Sequence, residues 1–182
     1  MTPSLLNITP ELSASVATRI LAAKALLADI AHNFAPAAFA NSLGAEDMVV
    51  TDLILKSRLP ITIFSLDTGR LPPETYDLMG AVEKHYGHKL TLFFPRADAV
   101  ETYVRNQGIN AFRDSVTLRK ACCAIRKVEP LQRALAGKRA WITGLRAQQA
   151  ATRDGLPLRE YDASNGLEKF NPLAEWSEKD IW

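Results

Sequence analysis

Residues 37–66 read AAFANSLGAEDMVVTDLILKSRLPITIFSL, and the order of elements in this stretch decides the fold. Ala37-Ala38-Phe39-Ala40-Asn41-Ser42 is short and mostly apolar, as a buried strand is, and Ala45 to Lys56 has the length and spacing of a helix. Ile61-Thr62-Ile63-Phe64-Ser65-Leu66 is a second strand, rich in β-branched residues. A strand, a helix and a strand in succession imply a right-handed crossover between parallel strands. The pattern continues in both directions. A leading helix is expected from about Pro10 to Asn33, opened by Thr9-Pro10-Glu11. Downstream come a helix over Glu74 to Tyr86, a strand over Lys89 to Phe94 and a helix over Ala97 to Asn106. A less regular stretch, Gly108 to Leu118, precedes a helix around Cys123 to Ala136 and a strand at Ala140-Trp141-Ile142-Thr143. The predicted class is α/β, a mainly parallel sheet with helices on both faces. Beyond Arg153 periodicity is lost until Asn171-Pro172-Leu173, so the tail is expected to be a loop or lid.

The composition is that of an ordinary globular chain: 182 residues, 47% hydrophobic, 23% charged, net charge +2. Apolar runs are too short or too interrupted for a membrane span. The start, Met1-Thr2-Pro3-Ser4-Leu5-Leu6-Asn7, lacks the basic and apolar regions of a secretory signal. Two cysteines form no disulfide framework, so a reducing cytoplasm is the expected compartment. A charge of +2 gives no argument for nucleic acid. Local charge says more. Arg113, Arg119, Lys120, Arg126, Lys127 and Arg133 face only Asp114 and Glu129 in their stretch, a basic segment able to hold an anion.

In a parallel sheet, ligands sit beyond the carboxyl ends of the strands. Three loops fall there. In the first, Asn41 to Asp47, Gly44 allows close approach of the backbone and the following helix offers free N–H groups to an anion. It lacks the lysine and the glycines of a triphosphate-binding loop, and Glu46 and Asp47 favour a ligand with fewer phosphates. A simple helix cap explains Ser42 and Gly44 equally well. The second, Leu66-Asp67-Thr68-Gly69-Arg70, can turn at Gly69 and present main-chain groups to a base and Thr68 to a ribose or phosphate. The third, Thr143 to Arg153, carries Arg146 and Arg153, side chains suited to bidentate contacts with phosphate or sulfate oxygens.

Cys122 and Cys123 are the only thiols, adjacent and set among cationic residues. Neighbouring side chains on a helix diverge by roughly 100°. The pair therefore makes a poor chelate on its own and a plausible half of the ligand set of a larger cluster, since iron–sulfur sites usually take about four thiolates. His32, His85 and His88 have no ligand spacing with them.

Ser42-Leu43-Gly44-Ala45-Glu46-Asp47, Leu66-Asp67-Thr68-Gly69-Arg70, Cys122-Cys123 with Arg126-Lys127-Val128-Glu129-Pro130-Leu131, and Trp141-Ile142-Thr143-Gly144-Leu145-Arg146 together resemble, in order and spacing, the assimilatory phosphosulfate reductase family. The resemblance runs from about Ala35 to Trp182 and implies an adenine-nucleotide α-hydrolase-like, PP-loop-like fold. On this basis residues 1–34 are an N-terminal helical segment and 35–182 the nucleotide-binding domain. The Cys-Cys pair marks the family's iron–sulfur branch, whose members mostly reduce adenosine 5′-phosphosulfate (adenylyl sulfate). The implied reaction yields sulfite and AMP with thioredoxin as electron donor, in sulfate assimilation towards cysteine.

By the same resemblance, Ser42, Gly44, Glu46 and Asp47 form the modified pyrophosphate-type loop, and Leu66, Asp67, Thr68 and Gly69 hold the adenosine. Lys127 lies near the phosphosulfate, and Gly144, Arg146 and Arg153 belong to a loop closing on the nucleotide. Ala147, Gln149 and Ala150 depart from the charged or hydroxyl residues of many relatives. Cys122 and Cys123 are implied as two of four ligands to a 4Fe-4S cluster. Family members continue with a Cys-x-x-Cys pair and a C-terminal attacking cysteine, which this sequence lacks. No nucleophile is therefore assigned, and the chain is expected to be a truncated, nucleotide-binding portion of a reductase. Asp180-Ile181-Trp182, which reads as the first turn of a helix, agrees with that expectation. The alternatives are reduction of the 3′-phosphorylated nucleotide, an ATP-using sulfur-inserting enzyme, and a non-catalytic adenine-nucleotide module. A homo-oligomer is left open.

Overall fold

The computed structural model describes residues 8–149 and 155–182. Helix α1 (Pro10–Asn33) starts where expected, with Thr9 accepting the Leu12 amide and Pro10 in the first turn. Its Ala23, Leu27 and Ile30 are buried, at the i, i+4, i+7 spacing of one helical face. Strand β1 (Ala37–Ala40), helix α2 (Ala45–Lys56) and strand β2 (Ile61–Leu66) follow in the order read from residues 37–66. Then follow α3 (Pro73–Tyr86), β3 (Thr91–Phe93) and α4 (Ala97–Gln107).

The segment expected to be irregular contains a 3₁₀ turn at Ala111–Arg113 and helix α5 (Val116–Cys123). Ser115 caps α5 by accepting the Leu118 amide, the N-cap role for which serine is preferred. Both cysteines therefore lie at the end of α5 instead of opening the next helix. A π-helical turn, Ala124–Val128, joins α5 to α6 (Glu129–Leu135), and β4 (Ala140–Ile142) follows.

The tail departs from the expected loop or lid. It contains strands β5 (Arg159–Asp162) and β6 (Leu167–Phe170), joined by a turn in which the Asn165 and Gly166 amides bond to the Asp162 carbonyl. Asn165-Gly166 is a hairpin signal. Periodicity does not mark these strands, because β5 is an edge strand of charged and half-exposed residues with no run of apolar side chains. A last short helix, α7 (Glu178–Ile181), is closed by a reciprocal Ser177–Asp180 capping box.

The six strands form one sheet in the order β3-β2-β1-β4-β6-β5, with the β5–β6 pair antiparallel. The pairs β1–β4, β4–β6 and β2–β3 are parallel. The chain divides into two compact units, one of Met1–Ile63 with Gly137–Trp182 and the other of Phe64–Ala136. The first is centred on Leu27, Ile30, Phe39, Val50, Ile54, Ile142 and Phe170, all essentially inaccessible, with Phe34 and Phe170 packed edge to face at 5.0 Å. The second buries Phe64 against Phe93, and packs Tyr103, Ala111 and Cys122 with Val104, Phe112, Leu118 and Ile125. Among the described residues no helix is long and apolar enough to cross a membrane.

Candidate functional site

In the first unit, the turn after β1 is shaped by its side chains. Asn41, buried, accepts the Leu43 amide at 2.6 Å and donates to Thr51 Oγ1 at 2.9 Å. Thr51 Oγ1 in turn donates to the Asp47 carbonyl at 2.8 Å. This holds Leu43 at φ 66°, a conformation costly for a branched side chain. Gly44, expected to allow close approach of the backbone, caps α2 at φ −70°, an ordinary extended geometry. The strained position is its neighbour.

Asp47 turns back onto this loop. Its Oδ2 accepts the amide and the hydroxyl of Ser42, both at 2.6 Å. A Cβ at Gly144 would lie 2.1 Å from Asp47 Oδ1, so only glycine fits the turn after β4. Burial raises the Asp47 pKa above the usual carboxylate range, and the nearby Glu46 charge adds to this; the Ser42 hydroxyl and amide and the Gly144 amide oppose it.

Arg146 is buried beside the same helix start. Its Nε donates to Glu46 Oε1 at 2.8 Å and its Nη1 to Gln148 Oε1 at 3.1 Å. Gln149 completes the group, donating from Nε2 to Glu46 Oε1 at 2.8 Å and accepting the Arg146 amide at 3.2 Å. The loop is anchored from below by Asn171, fully buried, whose Oδ1 accepts the Thr143 hydroxyl at 2.6 Å and whose Nδ2 donates to the Pro157 carbonyl at 2.9 Å. Ser42, Gly44, Glu46, Asp47, Gly144 and Arg146 are thus brought together. Arg153 and Ala150 lie outside the described residues.

In the second unit, the turn after β2 is built on Asp67, buried, whose Oδ1 accepts the Gly69 amide at 2.7 Å and the Tyr76 hydroxyl at 3.1 Å. Gly69 adopts φ 69°. Arg126, buried, reaches the same turn and donates from Nη1 to the Thr68 carbonyl at 2.6 Å. Asp67, Thr68 and Gly69 therefore form one turn directly after Leu66, the last residue of β2, and the chain turns at Gly69 as the sequence implied. Lys127 is exposed, one residue from the arginine that makes the contact. Sequence reasoning missed Arg126, Tyr76, Asn41 and Asn171 as shaping residues. Arg126 stood in a basic run, and nothing in such a run says which member turns inward.

Cys122 is buried against Tyr103 and Ala111, while Cys123 is exposed. As two soft donors in a basic segment they suit iron–sulfur ligation in chemistry and supply half of a four-thiolate set. Among the described residues no group of three or more His, Cys, Asp or Glu side chains is placed to hold a metal ion.

A mainly parallel six-stranded α/β sheet with shaped turns after β1, β2 and β4 is a fold of the PP-loop-like class. The phosphoadenosine phosphosulfate reductase domain model matches residues 36–182, and the chain belongs to that family. It is 55% identical to the adenosine 5′-phosphosulfate reductase of Allochromatium vinosum, over 95% of this chain and 68% of the relative. To the protein of that name from Burkholderia cepacia it is 50% identical, over 96% and 68%. For Neisseria meningitidis serogroup A the figures are 52% identity, 84% and 63%. The chain thus spans about two thirds of the length of these relatives. Its fold matches a crystal structure of phosphoadenylyl-sulfate (PAPS) reductase from Candida auris in a phosphate complex, with TM-score 0.74 and 25% identity, covering 98% of this chain and 86% of that one.

Proposed function

We propose that this chain supplies the nucleotide-binding and part of the cluster-binding machinery for the reduction of adenylyl sulfate to sulfite and AMP during sulfate assimilation, with residues 35–182 as its nucleotide-binding domain. The observation that carries the reading is 55% identity, over nearly the whole chain, to a protein named for that activity. The chemistry moves two electrons. The sulfonyl sulfur is reduced to sulfite, its bond to the phosphate oxygen breaks, AMP leaves, and a thioredoxin dithiol becomes a disulfide. The attacking thiol is assigned to neither Cys122 nor Cys123.

The residues of this chain bind and orient. Leu66, Asp67, Thr68 and Gly69 hold the adenosine, since their closed turn leaves main-chain groups fixed for a base. Ser42, Gly44, Glu46 and Asp47 line the phosphate side, where two carboxylates repel added phosphate charge. Gly144, Arg146 and Arg153 belong to the loop that closes on the nucleotide, and Lys127 provides an exposed cation for the phosphosulfate. Cys122 and Cys123 would be two ligands of a 4Fe-4S cluster. When bound, that cluster would supply a charged, redox-capable centre to the π-helical turn. Two free thiols suit a reducing cytoplasm, the compartment we assign.

The second reading, reduction of the 3′-phosphorylated nucleotide, is favoured by the fold match to the Candida auris enzyme. Calorimetric titration with adenylyl sulfate, its 3′-phosphorylated form, AMP and ATP decides between them. Adenylyl sulfate is expected to bind tightest. Preference for the 3′-phosphorylated form would establish the second reading, and failure of all four to bind would overturn both.

A further inference from the structure

Two arginines tie the Asp67–Arg70 turn to the segment carrying the thiols, one on each side of it. Arg70 reaches forward: it donates to the Ile109 carbonyl and to Asn110 Oδ1, and its guanidinium lies 4.7 Å from the centre of the Phe112 ring. Phe112 packs in the same apolar cluster as Cys122. Arg126 reaches back from the π-helical turn that directly follows Cys123, and donates to the Thr68 carbonyl at 2.6 Å. Burying a guanidinium against a neutral carbonyl is costly in itself, and π-helical turns are local distortions found mostly where function requires them. The fit is close on the other side too. A Cβ at Gly69 would stand 3.2 Å from Arg126 Nη1, in a residue already at φ 69°.

We propose that Arg126 is a positioning residue that makes the Asp67–Arg70 turn and the π-helical turn directly after Cys122-Cys123 a single mechanical element. A nucleotide held by Leu66–Gly69 then orders the segment that carries the thiols through the Thr68 carbonyl. The second half of this inference rests on the reading of Leu66–Gly69 as nucleotide-binding; the first half does not.

Hydrogen–deuterium exchange of the full chain, with and without saturating AMP, tests both halves. Without ligand, Arg126→Ala should raise exchange at least tenfold in peptides covering 66–71 and 121–128, with α1 as the internal control. Unchanged exchange in both segments would overturn the tie whatever the chain binds. With AMP, the native chain should gain protection in both segments together. Arg126→Ala should keep the gain at 66–71 and lose it at 121–128, and Arg126→Lys, which retains a donor for the carbonyl, should restore part of it. Equal protection of 121–128 in Arg126→Ala and the native chain would overturn the coupling. Should Arg126→Ala unfold, with α1 exchanging as fast as the rest, Arg126→Met decides: it keeps the buried stem, removes the donor to the Thr68 carbonyl and should uncouple the two segments. Coupling left intact by Arg126→Met would sink the proposal. Calorimetry with AMP separates the causes of failure: no binding removes the nucleotide reading, whereas binding with protection at 66–71 alone removes only the coupling.

Discussion

Glu46 and Arg146, one hundred residues apart, meet at 2.8 Å in the first unit, with the arginine 7% and the glutamate 18% exposed. The arginine that the sequence assigns to the nucleotide is therefore already paired, and any anion it serves must share it with Glu46. Removing the carboxylate leaves a buried guanidinium without its charge partner. Glu46→Ala should lower unfolding stability by about 1.5–3 kcal/mol, and Glu46→Gln, which keeps an acceptor, by distinctly less. Urea unfolding of the two variants checks this; equal losses would show that the pair is incidental.

Ligand choice follows from the acidic start of α2. Adenylyl sulfate and AMP should bind in preference to ATP, whose extra phosphates meet Glu46 and Asp47. ATP binding tenfold tighter, about 1.4 kcal/mol, would contradict it. Lys127→Ala and Arg146→Ala should each weaken adenylyl sulfate binding by about 1.5–3 kcal/mol. Arg58→Ala, in the exposed turn that ends α2, should leave it unchanged. Calorimetry of the three variants side by side is the measurement.

Asp47 carries a pH signature. Its pKa is raised on folding, chiefly by burial, so the native state holds the proton more tightly than the unfolded chain. The stability it contributes is present below its unfolded pKa and is lost as pH rises through the folded value. Glu129 and Glu168, lowered mainly by hydrogen bonds from Arg133 and Arg159, have the opposite sign: their contribution is present at neutral pH and lost on acidification. Asp47→Asn deletes only the first effect. Its stability relative to the native chain should therefore improve between pH 4 and pH 7, by about 1.4 kcal/mol for each tenfold by which folding tightens the hold of Asp47 on its proton. A difference independent of pH in urea unfolding would show that Asp47 is not held this way.

Expressed as these 182 residues, the protein should not retain a stable 4Fe-4S cluster, because Cys122 and Cys123 leave half of the iron positions to outside ligands and to oxidation. It should also release no sulfite from adenylyl sulfate with thioredoxin present. Anaerobic reconstitution with iron quantification, followed by a sulfite assay, reads both. Sulfite production would make one of the two cysteines the nucleophile.

Much of this was legible in the chain itself. The alternation of Phe39-type apolar strands with helices such as Ala45–Lys56 reports local burial, and local burial is what periodicity measures. It was enough to place β1, α2, β2, α3 and α4 and the mainly parallel sheet. The Cys-Cys pair and its basic surroundings were equally plain, because they are contiguous. What tertiary structure alone decided was the choice of partner. Periodicity cannot tell that β6 inserts beside β4, that Asp47 folds back on Ser42, that Glu46 takes Arg146, or that Arg126 turns inward while Lys127 remains exposed. The last three are choices between polar groups whose alternatives in sequence are equally polar, and only the packing of the surrounding elements fixes which donor is buried within reach of which acceptor.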